Sequence, residues 1–209
     1  MRDDRIIGVD FDNTIVDYSY ILHGAAVERG LIPPSAGKDK NEIRDRIRGL
    51  PHGEIEWRKL QALVYGERIG QARLCDGADA FLTRCRRMGI PVYIVSHKTE
   101  QAEADEDGTN LRTAALGWMT SHGFFQAQGI GLSRGQVFFT STRQEKIQQI
   151  RQLACTHFID DLEETFLEET FPPVVEKILL APQRQHASRG VRVMGSWQEI
   201  CEYLFAAVA

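Results

Sequence analysis

The sequence predicts an α/β fold, a Rossmann-like parallel sheet with helices on both faces, and two observations support this prediction. Short apolar segments typical of buried strands alternate along the chain with longer segments whose apolar residues recur at helical spacing. The chain also has 209 residues, enough for one such domain with a small insert. Parallel strands need crossover connections, which are usually helices, so this alternation favours a sheet that is covered on both faces.

Five apolar segments predict the strands of the sheet. In chain order they cover residues 6–9, 91–95, 137–139, 157–159 and 177–180. Helices are predicted at 78–88, 111–122, about 144–153 and after Ser196. Ser196 with Glu199, and Thr142 with Glu145, have the spacing of a capping box, in which a hydroxyl and a carboxylate bind backbone N–H groups at the start of a helix.

Residues 18–75, between the first and second strands, predict a separate helical domain. Apolar residues at helical spacing favour helices at 41–50 and 54–69, and segments containing proline and glycine precede both. This insert has ten basic and seven acidic residues, so its formal charge is +3 in a chain of −4. We therefore expect residues 1–17 and 76–209 to form the α/β core domain.

Polar side chains lie at or just beyond the ends of the first four predicted strands. They are Asp10, Asp12, Ser96, Lys146, Asp160 and Asp161. Ligands of open parallel sheets bind outside the carboxyl ends of the strands, so we expect these groups to gather at one edge. An Asp-x-Asp pair alone is as typical of a turn as of a site. The set as a whole favours a catalytic or metal site.

In order, strand context and spacing, these motifs resemble those of haloacid dehalogenase-superfamily phosphatases. The motifs are Asp10-x-Asp12-x-Thr14, Ser96, Lys146 and Asp160-Asp161, within about residues 5–182. The resemblance implies that Asp10 is a nucleophile that forms an aspartyl-phosphate and that Asp12 is the general acid and base. Dehalogenases of the superfamily lack the second acid, so the presence of Asp12 favours phosphoryl transfer.

The resemblance also implies a magnesium site. Mg²⁺ prefers a few carboxylate oxygens together with water and substrate oxygen. The expected ligands are Asp10, Asp160 and the backbone carbonyl of Asp12. Asp161 is either a further ligand, through water, or the cap of the next helix with Glu164 as its partner.

The remaining motif residues are expected to bind the substrate. Ser96 would donate a hydrogen bond to a phosphoryl oxygen, and Lys146, in the first turn of its helix, would neutralise phosphate charge and hold the nucleophile ionised. Thr14 would order the loop that follows the two acids. His97 and Lys98 are candidates for contacting the leaving group, although a histidine beside a strand end is more often structural.

A helical insert after the first strand is similar to the helical cap class of this superfamily, which usually encloses small metabolites. The implied activity is magnesium-dependent hydrolysis of a small phosphate monoester, such as a sugar phosphate or a nucleotide. Five basic residues of the insert could attract such an anion, or they form an ordinary solvated helix face. They are Arg44, Arg46, Arg48, Arg58 and Lys59.

Composition argues against other classes of function. At a net charge of −4 and without a basic tail, nucleic-acid binding is not expected, and no signal peptide or membrane-spanning segment is evident. The four cysteines lack metal-binding spacing and fit reduced thiols in the cytoplasm. Gly129, Gly131 and Gly135 precede a strand instead of following one, which argues against a dinucleotide-binding loop.

Three alternatives stay open. A phosphomutase or phosphotransferase of the same fold would use the same residues. A receiver-like phospho-signalling module gathers similar groups around a phospho-aspartate, but the insert and the position of the nucleophile after the first strand count against it. A non-enzymatic binding protein could retain the fold, but the intact set of acids, serine and lysine counts against that.

Overall fold

The structure is a computed structural model that describes residues 4–102, 108–184 and 186–206. The chain divides into two compact units. The first unit comprises Met1–Val16, Leu74–Lys98 and Gly123–Ala209, and the second comprises Asp17–Arg73 and Thr99–His122. Each helix among the described residues is too short or too polar to span a membrane.

Strands and helices alternate along the chain. The strands are β1 (Ile7–Val9), β2 (Val16–Asp17), β3 (Arg73–Leu74), β4 (Val92–His97), β5 (Val137–Thr140), β6 (His157–Asp160), β7 (Glu176–Leu180) and β8 (Val191–Met194). The helices are α1 (Ser19–Glu28), α2 (Lys40–Arg48), α3 (Gly53–Tyr65), α4 (Ala78–Arg87), α5 (Leu111–Ser121), α6 (Arg143–Gln152), α7 (Glu163–Leu167) and α8 (Trp197–Phe205). Short 3₁₀ turns lie at Ile69–Gln71 and Arg134–Gln136.

The first unit contains a six-stranded sheet in the order β5-β4-β1-β6-β7-β8. Its neighbouring strands are all parallel, and β1 lies in the middle. Ile7 is opposite Val92 of β4 on one side and His157 of β6 on the other. All five predicted strands belong to this sheet, so the predicted Rossmann-like α/β fold is confirmed.

The edge strand β8 is missing from the sequence prediction. It pairs with β7 in parallel, with Val191 opposite Lys177. An edge strand is covered less than a central one, so its sequence need not be continuously apolar. Arg192 interrupts the apolar pattern of these four residues, which made the strand hard to recognise.

A glycine is required in the middle of β1. A Cβ atom at Gly8 would lie 2.5 Å from Cδ2 of Phe158 and 3.0 Å from the sulfur of Cys155. Phe158 belongs to the neighbouring strand β6, and its ring packs over the backbone at this position. The glycine therefore admits a large aromatic side chain directly beneath the carboxyl end of the sheet.

The second unit is helical, and its helices have apolar inner faces. Ile43 and Ile47 of α2 are fully buried, as their helical spacing predicts. Helix α5 is tied to the polypeptide near β3, since the indole N–H of Trp118 donates to the carbonyl of Ala72 at 3.1 Å. The observed α3 ends at Tyr65, four residues before the predicted end.

The division of the chain differs in one segment from the expected domains. The sequence assigned residues 76–209 to the core, whereas the second unit includes Thr99–His122 together with Asp17–Arg73. Hydrophobic patterning identifies α5 as a helix but contains no information on which unit it packs against. The role of residues 18–75 as a cap stays a prediction.

Candidate active site

The central strands of the first unit place two carboxylates side by side. Asp10 follows β1, and Asp160 is the last residue of β6. The N–H of Asp10 donates to the carbonyl of Ile159 at 2.8 Å, so the parallel pairing of these strands continues to the carboxyl edge of the sheet. Both acids are buried, and one oxygen of Asp160 accepts the N–H of Leu162 at 3.0 Å.

Lys146 joins the two buried carboxylates. Its Nζ lies 2.6 Å from Oδ1 of Asp10 and 2.7 Å from Oδ2 of Asp160, and the residue is 2% exposed. The start of α6 fixes its position, because the hydroxyl of Thr142 accepts the N–H of Glu145 at 3.1 Å. The lysine therefore reaches back from the first turn of its helix, as its position in the sequence predicted.

Burial and charge act in opposite directions on the pKa of Asp10. Burial, together with the negative charges of Asp160 and Asp12, raises the pKa of Asp10 to about 6, although Lys146 opposes the shift. Burial alone would lower the pKa of Lys146, but its ion pairs with Asp10 and Asp160 hold that pKa above its usual value. The site thus contains more buried negative charge than its lysine compensates.

A second buried lysine binds the second acid of the motif. Nζ of Lys98 lies 2.9 Å from Oδ2 of Asp12, and the side chain of Lys98 is 2% exposed. Lys98 follows β4, and its N–H donates to the carbonyl of Thr140 at the end of β5. The sequence identified Lys98 as a candidate for contacting the leaving group, but it gave no sign of this partner.

The loop that holds Asp12 is tightly folded. The carbonyl of Phe11 accepts the N–H groups of both Ile15 and Val16, each at 3.0 Å. Asn13 has a left-handed backbone with φ of 59°, a conformation that asparagine tolerates better than most residues. Within the described residues, the amide nitrogen of its side chain is buried and has no hydrogen-bond partner. The sequence pattern does not single out this donor, since asparagine is common in turns.

Ser96 and Thr14 lie near the same edge of the sheet. Ser96 is buried within β4, and its carbonyl accepts the hydroxyl of Thr140 at 3.3 Å. The hydroxyl of Thr14 lies 3.5 Å from Oδ1 of Asp161, at the outer limit of a hydrogen bond. The carbonyl of Thr14 accepts the indole N–H of Trp197, which anchors the loop to α8. Their roles toward a substrate stay predictions.

The side chain of His97 is engaged with the neighbouring strand end. Its Nε2 lies 3.0 Å from the carbonyl of Ser141, and burial lowers the pKa of the ring below its usual value. An imidazole whose Nε2 already contacts a backbone carbonyl fits a structural role better than contact with a leaving group. Its predicted contact with the substrate stays a prediction.

One of the two interpretations of Asp161 is wrong. Helix α7 begins at Glu163, and its N-cap residue is Leu162, whose side chain makes no capping hydrogen bond. Asp161 and Glu164 therefore do not form a capping box. Two residues separate the end of β6 from the start of α7, and Asp161 is the one before the N-cap. A sequence pattern does not fix the start of a helix to within one residue.

The arrangement of the acids fits a divalent cation. Single carboxylate oxygens of Asp10, Asp160 and Asp161 all lie within 4.8 Å of one another. With Asp12, these four carboxylates face the two ammonium groups of the site, which leaves an excess of two negative charges. A divalent metal would compensate that excess, and oxygen ligands of this kind suit Mg²⁺. The carboxylate of Asp12 is bound to Lys98, so a contribution from Asp12 would come from its backbone carbonyl.

Comparison with solved structures identifies the fold. A haloacid dehalogenase-like family hydrolase from Streptococcus pneumoniae aligns with a TM-score of 0.61 at 16% identity, over 96% of this chain and 98% of that one. A family IA, variant 3 hydrolase from Entamoeba histolytica gives a TM-score of 0.58 at 12% identity, over 93% and 94%. A hydrolase from Deinococcus radiodurans, with bound phosphate and sodium, gives 0.53 at 13% identity, over 99% and 97%.

These structures show that the chain has the haloacid dehalogenase-like fold over nearly its whole length. No family model matches the sequence. No curated protein matches it either. At such low identity the similarity establishes the fold alone, so the chemistry must be argued from the residues of this chain.

Proposed function

We propose that the protein is a magnesium-dependent phosphatase that hydrolyses a small phosphate monoester through an aspartyl-phosphate. The observation that carries the proposal is that two acids, two residues apart, contact two different buried lysines. Asp10 is bound by Lys146 and Asp12 by Lys98. Two carboxylates in separate electrostatic environments can perform separate tasks in one reaction.

In the first step, a carboxylate oxygen of Asp10 attacks phosphorus as the bond from phosphorus to the ester oxygen breaks. Asp12, which takes up a proton when the phosphate dianion binds, donates that proton to the ester oxygen, which leaves as an alcohol. Lys146 holds Asp10 in the ionised form that can attack, and Ser96 and the unpaired amide of Asn13 are candidate donors to the phosphoryl oxygens.

In the second step, Asp12, now ionised, takes a proton from water. The resulting hydroxide attacks phosphorus, and the bond between phosphorus and Asp10 breaks to regenerate the free carboxylate and release inorganic phosphate. Mg²⁺ held by Asp10, Asp160 and Asp161 would reduce the repulsion between the nucleophile and a phosphate dianion. The bound phosphate of the Deinococcus radiodurans structure supports an anion site in this fold.

The second acid favours phosphatase over dehalogenase chemistry. Cleavage of a carbon–halogen bond releases a halide, which needs no proton, whereas an alcohol leaving group does. A phosphomutase would use the same two acids but return the phosphoryl group to a substrate hydroxyl. We propose a small phosphorylated metabolite as the substrate, with residues 18–75 as the cap that encloses it.

The proposal is tested by turnover of para-nitrophenyl phosphate with added magnesium, with and without EDTA. Wild-type protein should release phosphate, and EDTA should abolish the release. Asp10→Asn should lower the rate by about a thousandfold or more, since it removes the nucleophile.

The matched control is Asp79→Asn, which changes an exposed acid on α4 and should leave the rate unchanged. Rapid quenching followed by mass spectrometry should locate a phosphoryl group on Asp10. Label on another residue, or full activity in metal-free buffer, would contradict the corresponding assignment. Transfer to an added alcohol in preference to water would favour the phosphomutase alternative.

A further inference from the structure

We propose that Lys98 is a positioning residue that acts through Asp12 instead of binding the substrate. The inference rests on the proposed function, because it gives Lys98 a task in the transfer of a proton by Asp12. It also changes the role that the sequence suggested, which was direct contact of Lys98 with the leaving group.

The burial of Lys98 supports this role. An ammonium group that is removed from water requires a compensating charge, and Asp12 supplies it at 2.9 Å. Nζ also lies 5.7 Å from the centre of the Phe11 ring, within the range of a cation–π contact. Because Asp12 already compensates its charge, Lys98 does not need a substrate anion as its partner.

The backbone of Lys98 is fixed to the sheet. His97 pairs with Thr140 at the end of β4 and β5, and the N–H of Lys98 extends this pairing by donating to the carbonyl of Thr140 at 2.9 Å. Asp12 instead lies in the loop after β1, where its backbone forms an isolated bridge with Val16. The ion pair therefore connects the acid on the loop to the rigid end of β4.

This connection matters because Asp12 has two tasks, each at an oxygen atom of another molecule. It must reach the ester oxygen in the first step and a water molecule in the second. Its Oδ2 lies 2.9 Å from Nζ of Lys98, so the position of the whole carboxylate depends on the position of that lysine. An error of about 1 Å in the placement of a catalytic group can cost about a hundredfold in rate.

The experiment combines substitutions at Lys98 and Asp12. Lys98→Met should lower kcat about 10- to 100-fold while changing KM less than about threefold. The loss in phosphoenzyme formation should be larger for phenyl phosphate than for para-nitrophenyl phosphate, because the poorer leaving group depends more on its proton. Lys98→Arg should recover part of the rate, since it preserves the charge. In the Asp12→Asn background, Lys98→Met should have no further effect.

Lys177→Met is the matched control. Lys177 is a partly buried lysine of β7 that donates to the carbonyl of Phe166 at 2.7 Å and lies over the ring of Phe171. Its loss should not produce a dependence on the leaving group. If Lys98→Met lowers the rate equally in the wild-type and Asp12→Asn backgrounds, or raises KM and weakens the binding of inorganic phosphate about tenfold, then Lys98 binds the substrate directly and the proposal is wrong.

A second measurement does not depend on turnover. The midpoints of urea unfolding of the wild type, both single variants and the double variant should be non-additive, because Lys98 and Asp12 contact each other. If the wild type proves inactive, the proposed function fails, and non-additive midpoints still support anchoring of Asp12 by Lys98. Additive midpoints overturn the anchoring in either case.

Discussion

The charged side chains of the two units are paired in different ways. In the first unit, Lys146 and Asp10 are 136 positions apart in the chain, and both are buried. In the second unit, Arg46 pairs with Glu42 one helical turn away, and about half of each side chain is exposed. Exposed pairs contribute little to stability, at most about 1 kcal/mol, whereas buried charges are expensive to desolvate.

The comparison distinguishes charges that are neutralised locally from charges that are gathered at the candidate site. The basic residues that the sequence proposed for attracting a substrate are largely matched by local carboxylates. Arg44 pairs with Asp45, Arg46 with Glu42, and both Arg48 and Arg58 with Glu54. Such pairs favour the interpretation as a solvated helix face. The carboxylates of the first unit, in contrast, exceed the lysines that face them.

The largest change in the free energy of unfolding is expected from Lys146→Met. It leaves two buried carboxylates without their ammonium partner, and breaking a buried pair in this way costs about 3–5 kcal/mol. Urea unfolding in metal-free buffer should show that loss of stability. The proposed phosphatase activity should fall about a thousandfold in a turnover assay.

Arg46→Met is the matched control for Lys146→Met, because it removes an exposed pair. Its cost should stay below about 1 kcal/mol. Addition of magnesium should recover part of the stability of Lys146→Met, since a cation again faces the acids. Equal costs for the two substitutions would contradict the distinction between the two units.

An intermediate effect is expected from the dependence of stability on pH in metal-free buffer. A carboxyl group whose pKa is raised in the folded state contributes stability that is fully present below its ordinary pKa of 3.8 and is lost as the pH rises through about 6. Asparagine does not ionise, so Asp10→Asn removes this loss of stability at higher pH. Relative to wild type, the variant should gain up to about 3 kcal/mol between about pH 4 and about pH 7.

The measurement is urea unfolding of both proteins across this range with EDTA present. Asp79→Asn, at the exposed position on α4, should show no such trend. A stability difference between Asp10→Asn and wild type that does not change with pH would mean that Asp10 is ionised at little cost, and the excess of buried negative charge would then be smaller than the geometry indicates.

The smallest effects are expected in the second unit. Single alanine substitutions of Arg44, Arg46, Arg48, Arg58 and Lys59 should each change the free energy of unfolding by less than about 1 kcal/mol. If the paired arginines form only a solvated face, the ranking of a panel of phosphate monoesters should also stay unchanged. A substitution that reorders this panel, but leaves the turnover of para-nitrophenyl phosphate intact, would show that its residue contacts the distal part of the substrate.

Much of the first unit could be predicted, because its central strands are apolar and the polar residues follow them directly. The partner of Lys98 could not, since a pattern shows that a lysine follows a strand but not which carboxylate its side chain meets. The helix cap proposed for Asp161 was wrong by one position. Helix α7 was expected only through that cap and without bounds, since five residues are too few to establish a helical period.

The position of β1 in the sheet has a consequence for synthesis on the ribosome. This strand is made before both of its partners, which through Val92 and His157 follow about 85 and about 150 residues later. At the usual rate of translation, roughly 5–20 residues per second, an apolar strand waits on the order of 10 s for its second neighbour. Asp10 therefore meets Lys146 and Asp160 only after β6 has been made, so a truncated product that lacks β6 also lacks this buried group of two acids and a lysine.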